Sequence, residues 1–259
     1  MTSTNVSFGE FIEFSISKRF GIIKLNRTHR ANALTIDMVK NLKKVIEYCQ
    51  DNEKIRGLLL TGNGSTFTTG MDMDYIDGSD HDAARDYEKT SGDIAKLLYN
   101  GKPTICAING KAMGDGVAYT LCSDYRIAVK ESFFMMPEIN SGIFPGGGNI
   151  VLLARQLGSN WTKRILMFAE KITSEKALEI GLIDQIVNDK DELMEEALKK
   201  ARFLSIKNQP VLNLIKLCSN HFIDKSYEKA YRLEQDALLG WVQEKDKDQF
   251  LNNFRKRLL

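Results

Sequence analysis

What this 259-residue chain lacks narrows its chemistry before any motif is considered. Its four cysteines, Cys49, Cys106, Cys122 and Cys218, never fall at a CxxC spacing. They read as reduced, buried thiols of a cytosolic-type, cytoplasmic protein, with no disulfide framework. The three histidines, His29, His81 and His221, form no HxxxH pair, so no metal site is expected. Residues 1–9 lack the basic-then-apolar order of a secretory signal, and no apolar run is long enough to span a bilayer, so a membrane is not an expected partner. An excess of one charge is missing too: 36 basic residues against 34 acidic ones leave a net +2. That balance argues against nucleic acid as a partner but allows a local basic patch for a phosphorylated ligand. The glycines Gly110, Gly114 and Gly116 miss the GxGxxG spacing, and no Gly-Lys-Ser/Thr occurs, which removes the dinucleotide and P-loop readings. There is no internal sequence repeat and no low-complexity tract.

What is present describes an α/β protein. Ile12, Phe14 and Ile16 alternate, Lys18 to Gly21 can turn, and residues 21–25 return, which predicts a hairpin. Thr35 can cap a helix reaching about Cys49, with Met38, Leu42, Val45 and Ile46 as its apolar stripe. Leu58-Leu59-Leu60, residues 104–108, 125–129 and 133–136 read as strands. Helices are expected between them, one with Tyr87, Ile94, Leu97 and Leu98 facing inward and one opening near Gly114. Strands alternating with helices up to about residue 190 predict βαβ units and a mainly parallel sheet. Thr173 or Ser174 should cap a short helix that Gly181 stops. From Asp191 the pattern is helical to the end, broken once at Pro210. The division expected is a core over residues 1–195 carrying the site and a helical region over 196–259.

Two glycine turns and one glutamate carry the candidate chemistry. Gly114-Asp115-Gly116 follows a strand and opens a helix, so the Asp115 N–H belongs to the unpaired, positive end of that helix. Thr69-Gly70-Met71-Asp72 is a second turn whose Gly70 allows an unusual backbone angle and whose Met71 N–H can donate. Two such N–H groups on one carbonyl oxygen make an oxyanion hole. Asp72 reads as the residue that locks the turn rather than as a catalyst. Glu138 follows Pro137 in an otherwise apolar stretch. Burial there would lift its pKa toward the range of a general base, while a glutamate at an exposed strand end is the plain alternative. The residues Phe144 to Asn149, with Gly146, form a turn before a helix that can shape a pocket or merely connect.

These segments, in this order, resemble the crotonase (enoyl-CoA hydratase/isomerase) superfamily over residues 11–259. Arg30-Ala31-Asn32-Ala33-Leu34 is similar to the family's early CoA-side motif. Phe67 to Asp72 resembles its F-x-x-G-x-D turn, Lys102 to Gly116 its central motif, and Ala177 to Asp184 its later A-x-x-x-G-L-V motif. The resemblance implies a spiral of ββα units with a C-terminal helical trimerisation region. It implies a homotrimer or dimer of trimers, and an acyl-CoA substrate whose enolate is held by the N–H groups of Met71 and Asp115. Coenzyme A would then be part of the substrate, with no separate cofactor. It would lie along the 28–34 loop and the 66–72 turn, with Arg30 toward phosphate, Ala31, Ala33, Thr69, Gly70 and Asp72 beside it, and Gly114, Ala118, Pro137 and Gly146 around the acyl group. Lys256 or Arg257 would reach a neighbour's CoA. Hydratases of the family carry a glutamate where Ala118 stands, whereas Glu138 matches the second one. A single carboxylate suits a 1,3-proton shift from C2 to C4 of a 3-enoyl thioester. Gly146 stands where dienoyl-CoA isomerases and an aryl-CoA dehalogenase carry aspartate, which disfavours those reactions. A hydratase, an acyl-CoA hydrolase and a non-catalytic CoA- or RNA-binding relative remain the alternatives.

Overall fold

The structure is a computed structural model that describes residues 7–75, 81–243 and 245–258. The first strands, β1 (Ile12–Ser17) and β2 (Phe20–Leu25), form the expected antiparallel hairpin. Only Ile12 of the alternating set is buried outright, and Ile16 is exposed at the sheet edge. Helix α1 (Ile36–Asp51) begins where the Thr35 hydroxyl accepts the Met38 N–H, and its Met38, Leu42, Val45 and Ile46 are all buried.

The chain then repeats one unit three times. The first is β3 (Gly57–Gly62), β4 (Thr66–Thr68) and α2 (His81–Asn100). The second is β5 (Thr104–Ile108), β6 (Lys111–Met113) and α3 (Asp115–Leu121). The third is β7 (Tyr125–Val129), β8 (Phe133–Met135) and α4 (Asn149–Met167). The first strand of each unit joins a six-stranded sheet ordered β1-β2-β3-β5-β7-β10, parallel except for β1. The second joins a small sheet ordered β4-β6-β8-β9. Strand β9 (Ile172–Thr173), α5 (Ser174–Glu179), capped by Thr173 and followed by Gly181, and β10 (Gln185–Val187) close the spiral. This is the crotonase-type ββα architecture. Strands β3 and β5 are buried at every residue, which explains their unbroken apolar runs. The small-sheet strands hold two or three residues each, too few for alternation to show in the sequence.

Four helices follow. Helix α6 (Lys190–Ser205) packs Leu193, Ala197 and Ala201 on the large sheet with Leu59, Ile105 and Val129. Helices α7 (Gln209–Phe222), α8 (Tyr227–Gln243) and α9 (Lys247–Leu258) build a separate cluster around Leu217, Phe250 and Phe254. The break at Pro210 is present, with Asn208 capping α7 through the Val211 N–H. Two more breaks correct the expectation of a single one. One follows Phe222, and the other precedes α9, where the Asp246 carboxylate accepts the Asp248 and Gln249 N–H groups. That cap is the signal that periodicity alone does not carry.

Candidate active site

The spiral brings equivalent positions of its three turns together. In the small sheet Thr68 pairs with Ala112, Ala112 with Phe134, and Met113 with Met135, all parallel. The three strands run directly into the turns that carry Met71, Asp115 and Pro137, at the carboxyl edge of this sheet. The turn of the first unit thus meets the turn of the second. A β-carbon built on Gly70 would stand 3.0 Å from the Met113 carbonyl oxygen and 3.1 Å from the Asp115 nitrogen. Gly70 has φ +80° and Gly114 φ +51°, conformations that other residues adopt only with strain.

Both candidate donors are free of the backbone ladder. Leu34 bridges to the 70–72 segment by donating to the Gly70 carbonyl, and its own carbonyl accepts the Asp72 N–H. In such a parallel bridge the N–H of the middle residue, Met71, points the other way. Asp115 is the first residue of α3, where an N–H has no intrahelical acceptor. The turns are stiffened from behind. The Thr68 hydroxyl donates to the Asn32 carbonyl and accepts the Gly70 N–H, and the buried Asn109 side chain ties Gly62, Gly64 and Thr66 together. Asp72 is buried and paired with Arg27 at 2.6 Å, so its place is the turn lock that was expected. Burial alone would raise its carboxyl, but hydrogen bonds from Arg27 and the Asp74 N–H bring it below the ordinary aspartate range.

A cavity of about 430 Å³ opens in front of these turns. Met71, Asp115 and Glu138 line it, as do Thr69, Gly114, Ala118, Pro137 and Gly146, with Arg30, Ala33 and Asp72 at another part of its wall. Ala31 and Gly70 do not line it. Ala31 sits behind, its carbonyl accepting the Thr69 hydroxyl at 3.4 Å, and Gly70 is pressed against Gly114. Arg30 is paired with Asp72 and Asp74. His29 lies against the Phe11 ring, away from the cavity. Residues 76–80, which precede α2 in the chain, lie outside the described residues.

Glu138 begins a short 3-10 helix, Glu138–Ser141, just after β8. Its Oε1 would lie 3.3 Å from a β-carbon on Gly114, so any side chain there would crowd that carboxylate by a few tenths of an ångström. Its Oε2 is buried and accepts no hydrogen bond among the described residues. Burial lifts the carboxyl above the ordinary glutamate range; its own N–H opposes this in part, and the Asp115 charge adds to it. A carboxyl oxygen with no donor, facing a cavity, is a candidate proton acceptor.

The Asp115 side chain turns away from its N–H. The Tyr87 hydroxyl donates to Oδ2 and the Ser91 hydroxyl to Oδ1, each at 2.6 Å. Because Ser91 has spent its one hydrogen, Tyr119 must donate to the Ser91 oxygen, 2.9 Å away. Burial raises the Asp115 carboxyl, and the two hydroxyl bonds offset part of that. Sequence reasoning placed Tyr87 inward but missed Ser91, which shares Asp115 with it, and Glu88 on the same helix. Glu88, Ser91 and Ala95 line the cavity at i, i+3 and i+7 of α2. A glutamate in that helical row was the available signal.

No helix among the described residues is long and apolar enough to cross a membrane, and no cluster of three metal-ligating side chains occurs among them. A family model described as enoyl-CoA hydratase/isomerase matches residues 15–258. The chain belongs to the enoyl-CoA hydratase/isomerase family. Among curated relatives it is 30% identical over 222 residues to a crotonyl-CoA hydratase of Syntrophomonas wolfei, covering 85% of each chain. It is 31% identical over 232 residues to a 1,2-epoxyphenylacetyl-CoA isomerase of Escherichia coli, covering 88% of each. Of solved structures, an enoyl-CoA hydratase from Bacillus anthracis superimposes with a TM-score of 0.86 at 25% identity, covering 96% of this chain and 97% of that one. Within the enoyl-CoA hydratase/isomerase family the fold is therefore shared over almost the full length. The two curated names differ in reaction, so similarity at this level does not choose between adding water and moving a double bond.

Proposed function

We propose that this member of the family is a Δ3-Δ2-enoyl-CoA isomerase, with coenzyme A entering as part of the substrate. One observation carries the reading. Glu138 faces the cavity beside the Met71 and Asp115 turns, while the methyl of Ala118, one turn into α3, occupies a wall position that can neither hold nor move a proton. The thioester oxygen of a 3-enoyl-CoA accepts the Met71 and Asp115 N–H groups, which favours the enolate over the ground state. Glu138 removes a proton from C2, the charge spreads over the dienolate, and protonation at C4 leaves the double bond between C2 and C3. Charge-assisted hydrogen bonds from these fixed N–H groups act on that oxygen more strongly than water does.

The test is conversion of 3-enoyl-CoA to 2-enoyl-CoA, followed by the gain of conjugated-thioester absorbance. Glu138→Gln should lower kcat about 10²–10⁴-fold, and a full rate in that variant ends the assignment.

A hydratase is the second reading. A second cavity-lining carboxylate, Glu88, and the hydratase name of one relative favour it. Loss of conjugated absorbance from crotonyl-CoA in water separates the two. The apolar side chains left exposed on α7 and α8, among them Ile215, Leu238 and Val242, offer a face for a homotrimer or a dimer of trimers; the solution mass tests that.

A further inference from the structure

Glu88 is a carboxylate without a structural occupation. Among the described residues it makes no hydrogen bond and no ion pair, and it is half-buried. It enters the cavity from α2, one helical turn before Ser91, which grips Asp115. Glu138 reaches the same cavity from a different wall, after β8. A β-carbon on Gly146 would fall 2.7 Å from Glu88 Oε2, so the bare glycine there is what lets the carboxyl lie against the 144–148 loop. Glutamate on an inward helix face with no partner costs stability, and a site that keeps one invites a chemical reason.

We propose that Glu88 is the second proton carrier of this site, protonating C4 of the dienolate after Glu138 has taken the proton from C2. The inference rests on the isomerase reading. The balance is complete. The C2–H bond breaks to protonate the Glu138 carboxylate, and the electron pair passes through the dienolate. C4 then forms its bond to the Glu88 hydroxyl hydrogen, leaving Glu88 ionised. One proton passing from Glu138 to Glu88 through solvent restores the starting state.

The surroundings fit that division. Burial, then the negative charges of Asp115 and Glu138, push the Glu88 carboxyl up to about 7, so it can hold a proton near neutral pH. Tyr119 faces it from α3. Arg155 of α4 shares a neighbouring hollow with it but is paired with Asp224. On its own helix Lys89, Asp93 and Lys96 line that same hollow. Two carboxyl groups on two walls of one cavity are the arrangement that acid and base roles require.

The experiment uses the full chain, wild type and Glu88→Gln, with 3-enoyl-CoA deuterated at C2, run in H2O from pH 5 to pH 9. The wild type should deliver protium to C4, and its rate should fall as pH rises through about 7. Glu88→Gln should still exchange the C2 hydrogen with solvent by NMR, because Glu138 and the oxyanion donors remain, but isomerise about 10²-fold or more slowly without that alkaline fall. Preserved C2 exchange also reports that the variant is folded. Carry-over of C2 deuterium to C4 in the wild type, or an unchanged rate and pH profile in Glu88→Gln, overturns the proposal. A wild type that exchanges C2 but never isomerises overturns the isomerase reading itself, and the proposal falls with it.

Discussion

Gly70→Ala separates the geometric claim about the two turns from ordinary backbone strain. Gly70 has φ +80°, and so does Gly181, which ends α5 away from the cavity. Alanine in that region costs about 1–2 kcal/mol at either position, which for a chain of this size lowers Tm by about 2–8 °C. The two sites differ in what the new methyl meets. At Gly181 nothing stands within 4 Å. At Gly70 the methyl would stand 3.0 Å from the Met113 oxygen, 3.1 Å from the Asp115 nitrogen and 3.3 Å from the Gly114 α-carbon. These are backbone atoms that cannot swing aside, so the two turns must part by a few tenths of an ångström. Oxyanion donors act within about 2.7–3.1 Å, and losing one entirely costs about 10²–10³ in kcat. Partial displacement should therefore lower kcat about 10–100-fold in Gly70→Ala, against a change within about twofold in Gly181→Ala, whose substitution touches no donor. Steady-state isomerisation and thermal melts of both variants read the two quantities. Equal kcat values in Gly70→Ala and Gly181→Ala, at equal loss of Tm, would refute the claim that residues 70 and 114 hold the donors together.

The other predictions address the donors, the lock and the second carboxylate. Asp115→Pro removes the N–H at the first position of α3, where proline is tolerated, so kcat should fall about 10²–10³-fold with α-helical circular dichroism intact. Asp72→Asn leaves the Arg27 guanidinium without its buried partner and should cost about 3 kcal/mol, a fall of about 6–12 °C in a melt. Since Glu88 holds its proton up to about 7 in the folded chain and only to about 4.3 in an unfolded one, the folded state binds more protons between those values. Its contribution to stability is greatest below the lower one and declines as pH rises through the window; denaturant melts at pH 5 and pH 8 should show that decline shrink in Glu88→Gln.

Much of the fold was legible because the central strands of the large sheet are buried on both faces. The runs at 58–60 and 105–108 have no polar interruption, and α1 carries a four-residue stripe under a threonine cap. The spiral was not legible as a repeat. Its units share a backbone plan but little sequence beyond the equivalent Gly70 and Gly114, and β4, β6 and β8 are three residues long, so no readable period survives in the sequence. Within the site, Met71, Asp115 and Glu138 stood out because glycine and proline mark the turns that present them. Glu88 did not, because a helix face was read by its apolar members alone. Arg30 read as a free cation, and only the folded chain shows it held by Asp72 and Asp74.

That contrast follows from where the chemistry resides. On the proposed reading the acting group at 71 and 115 is a main-chain N–H, so the side chain is released from the reaction and can be chosen for another purpose. Asp115 uses the freedom to fasten α2 to the oxyanion turn through Tyr87 and Ser91. At 118 and 138 the side chain itself would do the chemistry, and there a methyl and a carboxylate are not interchangeable. A spiral that lines up three strand ends at one edge therefore offers two fixed donors and a few variable side-chain posts. Changing the posts on α2, on α3 and after β8 alters which proton moves without disturbing the hole that stabilises the charge. By that reasoning the reaction of this chain is decided by residues 88, 118 and 138 together. Placing glutamate at 118 should favour water addition only where 88 no longer competes to protonate the dienolate.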